Sequence, residues 1–158
     1  MKVVAIGFSE SSKEILNSLK KLKFIDKVYL ASNSKYITNI DTSIERINAK
    51  KFIQENWSEI KLFIFIGSIS LSVRLISQLL VSKDEDPGVI VIDKNGLKII
   101  PLVGIHQTEA YSISLKLADL FDGEIVITNN SIFDKVLNLD SFGRNWGWIR
   151  SGVINNWS

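Results

Sequence analysis

Short apolar runs and amphipathic stretches alternate along this chain. Val3 to Phe8 is apolar and rich in β-branched residues, which predicts a buried strand. Ser11 and Glu14 then stand at the spacing of a capping box, and Ile15, Leu16, Leu19 and Leu22 follow at helical spacing. Lys27 to Ser32 predicts a second strand. A second capping box, Thr42 to Glu45, is expected to lead a helix carrying Ile44, Ile47 and Trp57. Leu62 to Ser68 is almost wholly apolar, as a strand at the centre of a parallel sheet is. Ile69, Val73, Ile76 and Leu80 mark the helix after it.

Beyond this point the pattern changes. Gly88 to Asp93 and Leu97 to Val103 predict two strands joined by a turn containing Asn95-Gly96, a strong hairpin signal. A helix is expected from about His106 to Phe121, with Ala110, Ile113, Leu117 and Leu120 on one face, and a last strand over Glu124 to Thr128. The tail, SFGRNWGWIRSGVINNWS, is less regular. Strands alternating with helices place the chain in the α/β class. The expected architecture is a three-layer αβα arrangement with a mostly parallel sheet and an inserted β-hairpin. No repeat or Pro/Gly-rich linker divides the 158 residues, so residues 1–158 read as a single domain.

Composition narrows the functions. Hydrophobic residues make up 46% and charged residues 23%, as in ordinary globular domains. A formal net charge of +2, without a basic run interleaved with aromatics, gives no argument for nucleic acid. Lys20, Lys21, Lys23 and Lys27 flank a helix end and read as a solvated terminus. The chain has no cysteine, which excludes disulfides, thiolate metal sites and a cysteine nucleophile. A single histidine argues against a self-contained zinc site, and no metal site is expected. The start MKVVAIGFS lacks the features of a signal peptide, and no apolar run approaches the ~20 residues of a membrane span. The expected location is the cytoplasm, with no membrane partner.

In open α/β sheets ligands bind beyond the carboxyl ends of the strands. That face would be lined by Gly7 to Ser12, Ser32 to Lys35, Gly67 to Ser70, Gly104 to Glu109 and Thr128 to Ser131. These loops carry Gly, Ser, Thr and Asn and several lead into helix N-termini, which suits a carboxylate- or phosphate-bearing ligand. The same residues are favoured simply as caps and turns, the commoner reason for any one of them. GFSESS has one glycine and no phosphate-loop lysine after it, so a dinucleotide or nucleotide fingerprint is lacking.

His106, at the expected strand-to-helix junction beside Gln107 and Thr108, is either a local cap or a ligand contact and general acid/base. Arg74 lies on an otherwise apolar helix. It either pairs with a carboxylate such as Asp86 or Asp93, or offers a fork for a substrate carboxylate. Asp86-Pro87 reads as a turn before a strand, and Asp93 as the start of the hairpin turn.

Val73, Arg74, Ile76, Leu79 and Leu80, followed by Asp86, Pro87, Val89, Val91, Asp93 and Gly96 and then by His106, resemble the N-terminal region of the cobalt-precorrin-5A hydrolase family of anaerobic cobalamin biosynthesis (CbiG). That family's pattern runs V-R-x-I-x-x-L-L, then D-P-x-V-V-V-V-D-x-x-G, then a Gly-His segment. EIVITNN and LDSFGRNWGW resemble the regions that follow, so the likeness runs from about Leu62 to Trp148.

The resemblance implies a cobalt-corrinoid intermediate as partner and opening of its δ-lactone with loss of acetaldehyde. The cobalt would be carried by the substrate, so no separate cofactor is implied. It points to His106 as the catalytic residue, acting as acid/base or orienter, and to Arg74 as carboxylate clamp or structural support. Arg74, Gly67, Ser68, Ser70, Gly104, Gln107, Thr108, Thr128 and Asn129 would be its substrate contacts. Where the family reads roughly S-G-H-x-G-G-A-N, this chain reads Gly104-Ile105-His106-Gln107-Thr108-Glu109-Ala110-Tyr111. These departures, and the expected absence of the family's C-terminal domain, keep open a diverged relative that binds a corrinoid intermediate or a partner domain without chemistry. Trp146, Trp148 and Trp157 near the end of the chain serve either a core or an interface with a second copy or a separately encoded C-terminal domain.

Overall fold

The computed structural model describes residues 2–32, 44–105 and 109–127. Chain contacts divide the protein into Met1–Val126 and Ile127–Ser158. The first unit is described below; of the second, only Ile127 lies within the described residues.

Seven strands form one sheet: β1 (Val3–Gly7), β2 (Lys27–Ala31), β3 (Glu45–Ile47), β4 (Leu62–Ile66), β5 (Gly88–Ile92), β6 (Lys98–Val103) and β7 (Glu124–Ile125), in the order β3-β2-β1-β4-β5-β6-β7. All neighbours are parallel except β5 and β6, the expected hairpin. Four helices cover it: α1 (Lys13–Leu19), α2 (Ala49–Asn56), α3 (Ile69–Ile76) and α4 (Ala110–Phe121). Alternate strand residues serve the two faces. Val3, Ala5, Leu62, Ile64 and Ile66 meet Ile15, Leu16 and Leu19 of α1 and Ile113 and Leu117 of α4. Val4, Ile6, Phe63 and Phe65 meet Ile53 of α2 and Ile76 of α3. Both faces being covered explains why β1, β4 and β5 are buried at every position and read as continuous apolar runs.

Two local expectations are corrected. The stretch after Thr42 does not begin a helix: Glu45–Ile47 is β3, paired with Tyr29–Ala31. Ile44 joins the α1/α4 core and Ile47 packs on the α2/α3 side, which is strand rather than helix behaviour. The helix starts at Ala49, where Asn48 Oδ1 accepts from Lys51 N at 3.1 Å, and its buried stripe is Ala49, Ile53 and Trp57. The Ser11–Glu14 capping box is also not made. Glu10–Ser12 form a 3-10 turn, and neither Ser9 nor Ser12 caps a helix amide with its side chain. Ser12 Oγ instead donates to Ile66 O at 3.4 Å and ties α1 to β4.

The hairpin is built as its residues demand. Asp93 accepts from Asn95 N and Lys98 N, Gly96 N donates to Asp93 O, and Gly96 adopts φ +76, where side chains are strained. Pro101 lacks an amide to give. It sits beside the register shift at Val89/Ile90 and beyond the two β6 residues that β7 pairs, a position where a missing donor costs no ladder bond.

Candidate functional site

Because β6 runs antiparallel to β5, the candidate residues fall on two edges of the sheet. Gly67, Ser68 and Ser70 follow β4, at the edge where β1, β2, β4 and β5 end. Val103 pairs with Val89, at the beginning of β5, so Gly104 lies at the opposite, amino edge. Five residues at roughly 3.3 Å each, about 16 Å along the strands, separate the two. This corrects the expectation that one face at the strand carboxyl ends would be lined by both loops. The hairpin that was legible in the sequence is what moves Gly104 away from Gly67.

At the carboxyl edge the residues act first as a helix start. Ser68 Oγ accepts from Leu71 N at 3.2 Å, Ser68 O accepts from Ser72 Oγ at 3.0 Å, and Gly67 N donates to Ile92 O. Ser70 is exposed. Next to them, Glu10 of the β1–α1 connection takes an Nη of Arg46 at 2.7 Å and Lys13 Nζ at 3.0 Å. The hydrogen bond from Lys13, followed by that from Arg46, holds the Glu10 carboxyl below its ordinary range. The other Arg46 Nη is buried without a hydrogen-bond partner among the described residues. Arg46 and Glu10 carry no sequence signal of their own, because the pairing depends on β3 lying beside β2.

At the amino edge the motif residues divide into frame and free groups. Asp86 is 9% exposed; its Oδ1 accepts from Trp57 Nε1 at 3.3 Å and from Val81 N at 3.0 Å, and Oδ2 also takes Val81 N, at 3.2 Å. It thereby joins the end of α2 to the turn before β5, and Trp57 stacks on Phe63 at 5.6 Å. Asp93, which follows β5 at the carboxyl edge, is committed to the hairpin turn. Neither carboxylate pairs with Arg74, which is exposed in the last turn of α3 and makes no hydrogen bond or ion pair among the described residues. Gly104 adopts φ +70, so β6 ends in a conformation that glycine takes readily and other residues do not. Glu109, one of the departures from the family pattern, stands at the N-cap of α4, where a carboxylate is favoured by the helix dipole. His106, Gln107, Thr108, Thr128 and Asn129 lie outside the described residues.

Two further features were not signalled by the sequence. Ser114 is fully buried on the inner face of α4, and its Oγ has no hydrogen-bond partner among the described residues. A cavity of about 490 Å³ opens between the end of α1 and the starts of β2 and β3, lined by Lys20, Lys27, Asp26 and Glu45 with Ile25, Val28 and Ile44. It contains none of the candidate residues and lies several strands from Gly104. Among the described residues no cluster of His, Asp or Glu is placed to hold a metal ion, and no helix is long and apolar enough to cross a membrane.

An αβα sheet of this kind also occurs in the crystal structure of a cobalamin biosynthesis protein G homolog from Sulfolobus solfataricus. The superposition has a TM-score of 0.57 at 21% identity, over 80% of this chain and 36% of that one, and shows the shared fold. Residues 51–131, slightly more than half of the 158, match the family described as Cobalamin synthesis G N-terminal. The chain belongs to this family. A cobalt-precorrin-5A hydrolase of Priestia megaterium is 28% identical over 152 residues, covering 95% of this chain and 41% of the relative. A protein of the same name from Salmonella typhimurium is 33% identical over 78 residues, covering 49% of this chain and 22% of the relative. The chain thus spans about two fifths of the length of the first relative and about a fifth of the second.

Proposed function

We propose that this chain acts on a cobalt-corrinoid intermediate of cobalamin biosynthesis as a cobalt-precorrin-5A hydrolase or as its N-terminal module. The observation that carries the reading is the 28% identity with a curated protein of that name across 152 residues, nearly the whole chain. In this reading water adds to the lactone carbonyl, the ring C–O bond breaks, and the departing alkoxide takes up a proton. The carbinol so formed then gives up its O–H proton as its C–C bond to the macrocycle breaks; the electron pair stays on the macrocycle, which takes up a proton, and the two-carbon fragment leaves as acetaldehyde. His106 is the acid/base, Arg74 pairs with a peripheral carboxylate of the macrocycle, and amides of residues 104–108 stabilise the oxyanion. The availability of the Arg74 guanidinium supports its part. Cobalt arrives with the substrate, so the chain needs no cofactor of its own, and it works in the cytoplasm.

A second reading, a corrinoid-binding module without chemistry, is favoured by Thr108, Glu109 and Tyr111. The test is to mix the full chain with cobalt-precorrin-5A and to follow acetaldehyde and corrinoid absorbance together. Release that falls by about 10²-fold or more in His106→Ala supports the hydrolase. Binding without release supports the module, and neither would reject both readings for this substrate.

A further inference from the structure

Helix α3 is inside out for a surface helix. Ser72 is fully buried, while Ile69 is 43% exposed, Val73 44% and Leu71 37%; the turn after the helix adds Leu80 at 45% and Val81 at 72%. Only Ile76 of its residues is a fully buried apolar anchor, with Leu75 and Leu79 partly covered. A helix apolar on most of its circumference is normally a buried helix, and a cluster of exposed aliphatic side chains on one element marks a contact surface. From Ile69 to Leu80 the only charge is that of Arg74, which has no partner among the described residues.

The shape and charge of this surface decide among occupants. A helix is convex, whereas small ligands bury most of their area in concave sites. A second copy placed symmetrically on α3 would bring a second arginine and no acid into the same dry contact, an arrangement that leaves charge uncompensated. What the surface fits is a folded polypeptide that is apolar and carries a carboxylate opposite Arg74. The longer relatives have such polypeptide to offer: 59% of the Priestia megaterium protein lies outside the aligned region, which itself includes nearly all of this chain.

We infer that the outer face of α3, centred on Ile69, Val73, Arg74, Leu80 and Val81, is the surface on which the remaining polypeptide of the longer family members docks, joined in one chain or supplied separately. Nothing in this inference depends on the hydrolase reading, and its test does not read activity. The chain has no cysteine, so Val73→Cys introduces a single thiol at the centre of the face, and Leu115→Cys, 48% exposed on α4, serves as a control. The same two aligned positions would be changed in the full-length Priestia megaterium protein. Labelling rates with a maleimide reagent would be compared peptide by peptide.

The expected result is at least a tenfold slower rate at the α3 position in the longer protein than in this chain, with the control position labelled alike in both. Equal rates at the α3 position would overturn the inference. So would protection at both positions, which means general burial. Protection in the 158-residue chain that rises with its own concentration would overturn it in favour of a second copy.

Discussion

Helices α3 and α4 cover opposite faces of one sheet, and both show apolar residues at helical spacing, yet they are held in opposite ways. In α4, Ala110, Ile113 and Leu117 are at most 1% exposed and form a dry stripe against the sheet. In α3 the residues that mark the helix in the sequence, Ile69, Val73 and Leu80, face outward, and the inner face is Ser72 and Ile76. What ties the end of α3 down is polar: Asp86 gathers the Val81 amide and the Trp57 indole. An apolar period therefore identifies a helix without saying which side of its stripe meets its own domain. In α4 stripe and core coincide, whereas in α3 most of the stripe is left over.

This contrast can be broken by substitution. Leu117→Ala, at a fully buried position of α4, is expected to cost about 2–5 kcal/mol in chemical denaturation; a loss below about 1 kcal/mol would mean that the α4 stripe is not the core contact described. Asp86→Ala removes the acceptor for Trp57 and Val81 and leaves an indole N–H and an amide unsatisfied. A loss of roughly 2–3 kcal/mol, with a change in tryptophan fluorescence in the same variant, is the expected outcome. An unchanged unfolding midpoint would show that the clamp does not secure the α3 side.

A smaller effect belongs to the α1 connection. Glu10 is stabilised as a carboxylate by Lys13 and Arg46, so its folded pKa lies below its unfolded one. Its contribution is present above the ordinary carboxylate range and is lost as pH falls through the depressed value. Wild type should thus be slightly more stable than Glu10→Gln at neutral pH, with the gap closing in acid; a gap that widens in acid contradicts the pairing. The smallest change is expected for Val73→Asp, within about 0.5 kcal/mol, because nearly half of the residue is already exposed. A cooperative loss of several kcal/mol there would mean that α3 is packed in this chain after all, and the contrast with α4 would disappear.

The amino-acid sequence by itself determined the strand cores, the α/β class and the hairpin. A strand buried on both faces must be apolar at every position, as Leu62–Ile66 is, and a left-handed turn residue such as Gly96 announces itself by being glycine. It also carried the family likeness through Arg74, Asp86 and Asp93, though not the separate jobs these do. Tertiary structure decided that Glu45–Ile47 joins the sheet, because spacing of three residues suits either one helix face or two strand faces until a neighbour is present. It decided that Asp86 belongs to the frame, since that depends on Trp57 and Val81 being brought near, while Arg74 has no partner among the described residues. And it decided that Gly67 and Gly104 lie at opposite edges. The reversal of β6 is written locally in the Asp93–Gly96 turn, but the direction of β5 beside β4 is set by pairing between distant segments, which no local pattern of side chains encodes.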